Sequence, residues 1–282
     1  MLEVKGLKKN YGTFHLDCSF KVEDNQIVGL IGRNGAGKST IFKSILNLIK
    51  SDAGEIKLFD KNVAVLSRAD KAKIGVTMPD SSFSDEFTIA DISKIMAAFY
   101  NKFNPGEFKK QCLKLGLPIN KKTKDFSTGM FAKLKILLAL SYQADFLLLD
   151  EPTSGLDVGV RQDILKMLQQ YMNNNPSRSI LISSHISTDL EELCDKVVLI
   201  DQGKVLLKED ADRISDEYGV IKVSKTDYKK LDKKYLLKSN PKSYGYACLT
   251  DQRQYYQDNY PDLAIEKSSI DDVLLLLTKG AN

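Results

Sequence analysis

The sequence predicts an α/β fold with a mostly parallel, buried sheet, on two observations. Short, continuous apolar runs are typical of strands that are covered on both faces, and the chain has three of them, Ile27–Ile31, Phe146–Asp150 and Ser179–Ser184. Segments with apolar residues at helical spacing separate these runs, and the segment 160–171 is one of them. This alternation is typical of strands that are joined by crossover helices.

Two further regions depart from the alternation. Helical patterns at 88–100, 105–117 and 129–142 predict a mostly helical insertion over about 81–142. Beyond residue 203 the long apolar runs end, and 222–242 holds eight lysines against two aspartates. We expect a domain over 1–210 and a small α+β accessory domain over 211–282, with an amphipathic helix near its end. A solvated surface is the favoured interpretation of the lysines, over binding to anionic lipid or nucleic acid.

Composition narrows the class of protein. The chain has 282 residues, of which 43% are apolar and 28% charged, so it can build a sizeable core and a disordered chain is excluded. Its 41 Lys and Arg nearly balance 37 Asp and Glu, and the net charge of +4 does not call for a nucleic-acid partner.

Membrane insertion and secretion are not expected. No run approaches the ~20 apolar residues that cross a bilayer, and the first residues lack the apolar core of a secretion signal. Any membrane role must then come through a partner. The four cysteines, Cys18, Cys112, Cys194 and Cys248, are far apart and predict buried, reduced thiols of a cytosolic protein rather than a zinc or disulfide framework.

The sequence GRNGAGKS at 32–39 follows a buried strand and precedes a helix, which is the context of a phosphate-binding loop. Glycines let successive N–H groups point into one concavity, and the helix N-terminus adds its positive dipole. The ammonium of Lys38 can reach the β- and γ-phosphates of a nucleotide, and the hydroxyl of Ser39 suits Mg²⁺. The predicted ATP-binding residues here are Gly32, Arg33, Asn34, Gly35, Ala36, Gly37, Lys38, Ser39 and Thr40.

Two other strands end in polar side chains. Asp150 and Glu151 end the run FLLLDEP, and adjacent strand residues face opposite ways. We expect Asp150 to hold Mg²⁺ and Glu151 to orient or deprotonate the attacking water. His185 ends ILISSH and is predicted to contact the γ-phosphate and the water, whereas His15 has no such context.

The order GRNGAGKST, FSTGM, LLLDEPTSGLD, SSH resembles the nucleotide-binding subunit of an ATP-binding-cassette (ABC) transporter, over about residues 1–210. The resemblance implies a phosphate-loop ATPase of the ABC-cassette type that forms a head-to-tail dimer around two ATP molecules. It implies that Tyr11 stacks on adenine and that Ser127 and Gly129 contact the γ-phosphate of the other subunit. It also assigns Ser154, Gly155 and Asp157 to the loop that joins the two sites.

The chain departs from this family pattern at two places. The family signature LSGGQ is FSTGM here, at 126–130. The loop glutamine that touches Mg²⁺ and the permease is replaced by Asp80, a carboxylate that can also bind Mg²⁺ but adds negative charge beside the triphosphate. The variant signature, the short helical insertion and the ending SSIDDVLLLLTKG are similar to export-type cassettes of peptide and antibiotic exporters.

The sequence therefore predicts a cytoplasmic ATPase on the inner face of the membrane. We expect it to bind ATP and Mg²⁺, to pair with a second copy or a paralogous subunit, and to power a separate permease that exports a peptide, an antibiotic or another amphipathic substrate. Two alternatives stay open, a soluble ABC-type ATPase that acts on ribosomes or DNA, and an ATP-dependent sensor module.

Overall fold

The computed structural model describes residues 1–79 and 83–278. The strands in them are β1 (Leu2–Tyr11), β2 (Phe14–Val22), β3 (Ile27–Ile31), β4 (Ala53–Leu58), β5 (Lys61–Asn62), β6 (Ile74–Thr77), β7 (Phe146–Asp150), β8 (Ser179–Ser184), β9 (Lys196–Asp201), β10 (Lys204–Asp210), β11 (Gly219–Val223), β12 (Leu236–Lys242), β13 (Gly245–Thr250) and β14 (Ala264–Lys267). The α-helices are α1 (Lys38–Ile45), α2 (Arg68–Lys71), α3 (Ile89–Phe99), α4 (Pro105–Lys114), α5 (Thr128–Ser141), α6 (Val158–Asn173), α7 (Ser187–Leu193), α8 (Ala211–Glu217), α9 (Lys225–Lys230), α10 (Arg253–Asn259) and α11 (Ile270–Thr278).

The larger sheet has ten strands in the order β5-β4-β1-β2-β10-β9-β3-β8-β7-β6. Strands β9, β3, β8, β7 and β6 are parallel neighbours, and β1, β2, β4 and β5 form an antiparallel extension. Every residue of β3, β7 and β8 is buried, as the apolar runs predict. The α/β class expected from the sequence is confirmed.

Both faces of the parallel strands are covered because alternate residues enter two different clusters. Ile27 and Ile31 of β3 pack with residues of α5 and α6, whereas Val28 and Leu30 pack with residues of α1 on the other face. Because β3, β8 and β7 are parallel neighbours, their carboxyl ends meet at one edge of the sheet. In doubly covered parallel sheets this edge is where ligands bind.

The helical insertion contains α3, α4 and α5, each within three residues of the predicted bounds. Thr88 begins α3 with a capping box, because its hydroxyl accepts from the N–H of Asp91 while that carboxylate accepts from the N–H of Thr88. Asn104 caps α4, whose first residue is a proline. Asp80 and residues 279–282 lie outside the residues that the structure describes.

The C-terminal part contains a four-stranded antiparallel sheet in the order β12-β13-β11-β14. The predicted small α+β unit and its closing helix, α11, are therefore present. One core cluster runs from Leu190 and Val197 in the first part to Ile214, Val220 and Ile270 in the second. Because that core is continuous, the domain limit at residue 210 stays a prediction.

Burial of all four cysteines agrees with the sequence-based prediction. Burial also raises the pKa of the thiols of Cys18 and Cys112 to about 12. Across residues 1–79 and 83–278, the helices include none with the length and apolar character needed to cross a bilayer.

Candidate nucleotide-binding site

A cavity of about 1100 Å³ opens at the carboxyl edge of the parallel strands. Its wall combines the loop after β3, the ends of β6 and β7, the segment after β8 and the first turns of α5. The wall residues are Gly32, Arg33, Asn34, Gly35, Ala36, Thr77, Pro79, Thr128, Phe131, Ala132, Lys135, Ile136, Asp150, Glu151, Pro152, Ser154, Leu156, His185, Asp201, Gln202 and Leu274. A smaller cavity of about 280 Å³ lies beside it, against Phe14 and residues 33–40.

The loop between β3 and α1 has the geometry of a phosphate-binding loop. A Cβ on Gly32 would lie 2.2 Å from the carbonyl oxygen of Ile200, so this position accepts no side chain. Gly35 and Gly37 have φ of +80° and +113°, conformations that favour glycine. Gly37 caps α1 without a side-chain hydrogen bond, and the amino end of that helix faces the smaller cavity. The loop and the helix end together suit an anion.

Lys38 is buried although it is charged, with 7% of its surface exposed. Its Nζ donates to the carbonyl oxygen of Gly32 at 2.7 Å, and it lies 3.5 Å from Oε1 of Glu151. The lysine side chain extends from the start of α1 back to the loop and meets the carboxylate of Glu151, which directly follows β7. The ammonium is thus held between the carbonyl oxygen of Gly32 in the loop and the carboxylate of Glu151.

Asp150 and Glu151 have different surroundings, because β7 ends at Asp150 and Glu151 lies in the turn that follows, not in the strand whose alternation the sequence analysis invoked. Asp150 is 3% exposed and accepts from the hydroxyls of Ser39 at 3.0 Å and Ser183 at 2.5 Å. Glu151 leaves the strand with φ of +51°, which is strained for a residue other than glycine. Its N–H donates to Oγ of Ser183 at 3.0 Å, and this bond holds the turn.

Glu151 also contacts His185. Oε2 of Glu151 lies 2.6 Å from Nδ1 of His185 and accepts from the N–H of the same residue at 3.2 Å. A carboxylate cannot donate, so Nδ1 carries the proton of this bond. The imidazole is half exposed, and its Nε2 side remains available to a ligand in the cavity.

The oxygen atoms of Ser39 and Asp150 fit a magnesium ion. Mg²⁺ prefers hard oxygen ligands and uses one or two protein carboxylates together with phosphates and water. Asp150 is buried at the cavity wall, and its carboxylate is already paired with the Ser39 hydroxyl at 3.0 Å. Across the described parts of the chain no group of three or more His, Cys, Asp and Glu suits a metal by itself.

Other predicted site residues lie further from the cavity wall. Tyr11 ends β1 with 47% of its surface exposed, and Nζ of Lys9 lies 5.4 Å from its ring centroid. Ser127 is exposed and caps α5, its Oγ accepting from the N–H of Met130 at 3.2 Å. Between Ser127 and Gly129, Thr128 is the residue that lines the cavity.

The segment 154–157 joins the site to α6. Ser154 lines the cavity, Gly155 has φ of +70°, and Oδ1 of Asp157 accepts from the N–H of Val160 at 3.0 Å to cap α6. Gly129 packs against the same helix, because a Cβ there would lie 2.9 Å from Cγ2 of Val160. The signature segment and this loop are thus adjacent through α6.

Sequence reasoning missed several residues of the site. Ser183 bridges Asp150 and Glu151, and the polar end of the run ILISSH was the available signal. Phe14 touches the loop, since a Cβ on Gly37 would lie 3.0 Å from its Cζ. Lys135 of α5 lines the cavity wall, and burial lowers the pKa of its ammonium. Thr77 also lines the wall, and its buried hydroxyl has no hydrogen-bond partner in the described residues. The pattern of the sequence gives no signal for these three.

Comparison with known proteins agrees with the geometry. The family model described as "ABC transporter" matches residues 16–154. The ABC transporter ATP-binding protein YtrB of Bacillus subtilis is 30% identical over 79% of this chain and 77% of its own length. The lantibiotic transport ATP-binding protein SrtF of Streptococcus pyogenes is 32% identical over 75% of this chain and 92% of its own.

A solved structure of the ATP-binding subunit of an ABC transporter is also similar, with a TM-score of 0.67 and 27% identity over 76% of this chain and 91% of that one. ATP-binding subunits of this kind pair as dimers and work with a membrane permease. The order of the motifs, the sheet and the edge where Lys38, Asp150 and Glu151 meet are those of such a subunit. The chain belongs to the ATP-binding subunits of ABC transporters, and it is an ATPase.

Proposed function

We propose that two copies of this chain, or one copy and a close paralogue, bind ATP with Mg²⁺ between them and drive a separate membrane permease. One observation carries the proposal. Two carboxylates at the end of β7, a histidine after β8 and a buried lysine at the start of α1 converge at a single edge. Lys38, Glu151 and His185 are linked there through contacts of 3.5 and 2.6 Å. Such a convergence is suited to phosphoryl transfer, which depends on position and charge.

Nucleotide binding falls to the loop 32–40. Its backbone N–H groups and the amino end of α1 would hold the phosphate oxygens, while Lys38 contacts the β- and γ-phosphates. Tyr11 would stack on adenine, and its half-exposed ring is available for that contact.

Mg²⁺ would be held by Ser39 and Asp150, with Asp80 as a further carboxylate. When it is bound, the ion neutralises negative charge on the β- and γ-phosphate oxygens. Asp150 is kept in place for this role by Ser183, whose hydroxyl donates to it at 2.5 Å.

Hydrolysis requires a water that is aligned and partly deprotonated. Glu151 would accept the proton of that water, and its strained turn and its hydrogen bond to His185 hold the carboxylate in one orientation. His185 donates from Nδ1 to Glu151, and its Nε2 side would contact the γ-phosphate, so that one imidazole would orient both the carboxylate and the phosphate toward the attacking water.

The second subunit would complete each site. Ser127 and Gly129 lie at the amino end of α5, where Ser127 is exposed and Gly129 partly so, and this end of the helix would approach the γ-phosphate of the partner's ATP. The neighbouring loop with Ser154, Gly155 and Asp157 would lie at the same interface. Val158, 70% exposed immediately after that loop, is an apolar side chain that a partner would cover.

The transported substrate is proposed from the relatives. The name of SrtF refers to lantibiotic transport, and the name of another relative, LnrL, refers to linearmycin resistance. We therefore place the chain on the cytoplasmic face of the membrane, bound to a permease that exports a peptide, an antibiotic or another amphipathic compound.

Steady-state ATPase assays test this function. The rate is measured for the chain alone, with detergent-solubilised membranes of its source, with ribosomes and with DNA. We expect the membrane fraction to raise the ATPase rate and ribosomes and DNA to leave it unchanged. A response to ribosomes or DNA with none to membranes would instead assign the chain to soluble ABC-type ATPases, and tight ATP binding without turnover in any mixture would identify a sensor.

A further inference from the structure

Asp189, in α7, is a buried charge with an unusually complete set of partners. It is 1% exposed, and one carboxylate oxygen accepts from the hydroxyl of Thr153 at 2.6 Å. The other oxygen accepts from Nε of Arg161 at 3.1 Å and from Nη2 of the same side chain. Thr153 is itself fully buried. A buried carboxylate with this geometry fixes its partners, because moving either one would leave a charge unpaired in the interior.

These partners belong to the two segments on which the proposed hydrolysis depends. Thr153 stands two residues after Glu151, at the start of the loop 154–157, and Arg161 is in the first turn of α6 beyond that loop. Asp189 stands four residues after His185. One carboxylate thus joins the segment that carries Glu151 to the helix that follows His185.

Helix α7 has other attachments that do not involve this carboxylate. Leu190 and Cys194 pack directly on β3, where a Cβ on Gly29 would lie 3.0 Å from either side chain. Glu192 accepts from the side-chain amide of Gln162 in α6 at 2.9 Å. The helix therefore stays docked without Asp189, and what the carboxylate adds is a fixed position relative to Thr153.

We propose that Asp189 is a positioning residue: it holds α7, and with it His185, against the segment after Glu151, so that the bond between His185 and Glu151 forms. The inference rests on the roles proposed for Glu151 and His185 in hydrolysis. Asp189 acts through these two residues and does not itself line the described cavity wall. A displacement of about 1 Å between the reacting groups is enough to slow a reaction roughly 100-fold.

Two variants remove the contact in different ways. Asp189→Asn keeps the size of the side chain and removes its charge, and Thr153→Val replaces the hydroxyl with a methyl group of similar size. Glu192→Ala is the matched control, since it removes a link between α6 and α7 on the same helix that does not touch Thr153. Thermal unfolding measures whether each variant is folded. If Asp189→Asn does not fold, Thr153→Val still tests the proposal.

Histidine NMR reads the bond directly. The chain has two histidines, so ¹⁵N-histidine labelling gives signals from His185 and from His15, whose ring contacts Asn10 and serves as an internal reference. Glu151→Ala removes the partner of Nδ1, so the His185 signals of this variant give the reference position for an imidazole without the bond to Glu151. We expect the His185 signals of Asp189→Asn and Thr153→Val to move toward that position, while His15 and the Glu192→Ala control stay unchanged.

Kinetics provide the second measurement. The turnover number for ATP should fall roughly 10- to 100-fold in Asp189→Asn, with ATP affinity and KM within about twofold of the unmodified chain. In a His185→Ala background Asp189→Asn should cause no further loss, because residues that act through one another are not additive.

The outcomes separate the inference from the proposed function. The inference is overturned if the His185 signals stay at their unmodified position in both variants. It is also overturned if Asp189→Asn lowers turnover in the His185→Ala background by the same factor as in the unmodified chain. If Glu151→Gln and His185→Ala hydrolyse ATP at the unmodified rate, the catalytic roles fail instead, whatever the NMR signals of Asp189→Asn show.

Discussion

Lys38 and Glu151 form an ion pair at the edge of the sheet, with 3.5 Å between Nζ and Oε1 and side chains that are 8% and 17% exposed. The same ammonium donates to the carbonyl of Gly32 at 2.7 Å. In the proposed complex this ammonium contacts the β- and γ-phosphates. Binding of ATP would then exchange a carboxylate partner for a phosphate, which leaves Oε1 of Glu151 available to the attacking water while Oε2 stays on His185.

Lys38→Ala should weaken ATP binding about 10- to 100-fold, since a charged hydrogen bond contributes about 1.5–3 kcal/mol. Titration calorimetry with ATP measures the affinity. Lys43→Ala, in the last turn of the same helix, is the control and should bind as the unmodified chain does. An affinity that Lys38→Ala leaves unchanged would remove the lysine from the site.

Glu151→Gln should retain nucleotide binding and slow hydrolysis roughly 10²- to 10⁴-fold, the range for loss of a general base. Because the substitution also removes the charge that competes for Lys38, the affinity for ADP should be equal or higher. Steady-state turnover and calorimetry with ADP check the two parts. Full turnover in this variant is incompatible with the proposed role of Glu151.

Gly129→Ala tests whether the signature glycine serves packing or contact with the partner's nucleotide. The new methyl would lie 2.9 Å from Cγ2 of Val160, and such overpacking costs about 1–3 kcal/mol of unfolding free energy. Gly129→Ala combined with Val160→Ala should regain most of that stability in urea unfolding. The ATPase rate of the double variant should stay low, because a β-carbon at this position, although it points to α6, still restricts the backbone that the proposed interface places against the partner's nucleotide.

If the double variant regains both stability and turnover, the glycine serves α6 packing alone. The single variant Val160→Ala is the control, because it measures what the shorter side chain at position 160 does to stability and turnover without the change at Gly129.

The pH dependence of stability should report the contact between Glu86 and the segment before the signature. Lys122 and then Lys124 lower the pKa of Glu86 from its ordinary value to about 2. A carboxyl whose pKa is lowered by folding stabilises the protein above its ordinary pKa, and this contribution is lost as the pH falls toward about 2. The urea midpoints of the unmodified chain and Glu86→Gln should therefore differ at neutral pH and converge as the pH falls from 4.5 toward about 2. A difference that is constant from pH 7 to pH 3 would contradict this assignment.

The sequence was sufficient to predict the residues that act through local pattern. The loop 32–39, the acidic end of β7 and His185 each follow a buried strand, and parallel strands bring their carboxyl ends to one edge. Helix bounds such as those of α3, expected at 88–100 and found at Ile89–Phe99, could be predicted because apolar spacing and turn residues are local signals.

Contacts between distant segments could not be predicted in this way. Asp189 meets Thr153 and Arg161 across 36 and 28 residues, and no spacing rule connects such positions. The positive φ of Glu151 depends on its hydrogen bond to Ser183 of another strand. The order of the C-terminal strands was also beyond reach, because short, lysine-rich strands such as β12 carry little periodic signal.

The mass of the nucleotide-loaded protein tests the central claim most directly. Light scattering of Glu151→Gln with ATP and Mg²⁺ should give twice the 31.6 kDa of one chain, and the same sample with ADP should give the mass of one chain. Where the partner is a paralogue, the doubled mass should appear only after that subunit and the permease are added. A sample that keeps the mass of one chain under all these conditions would contradict the account, because no second subunit would then enclose the ATP.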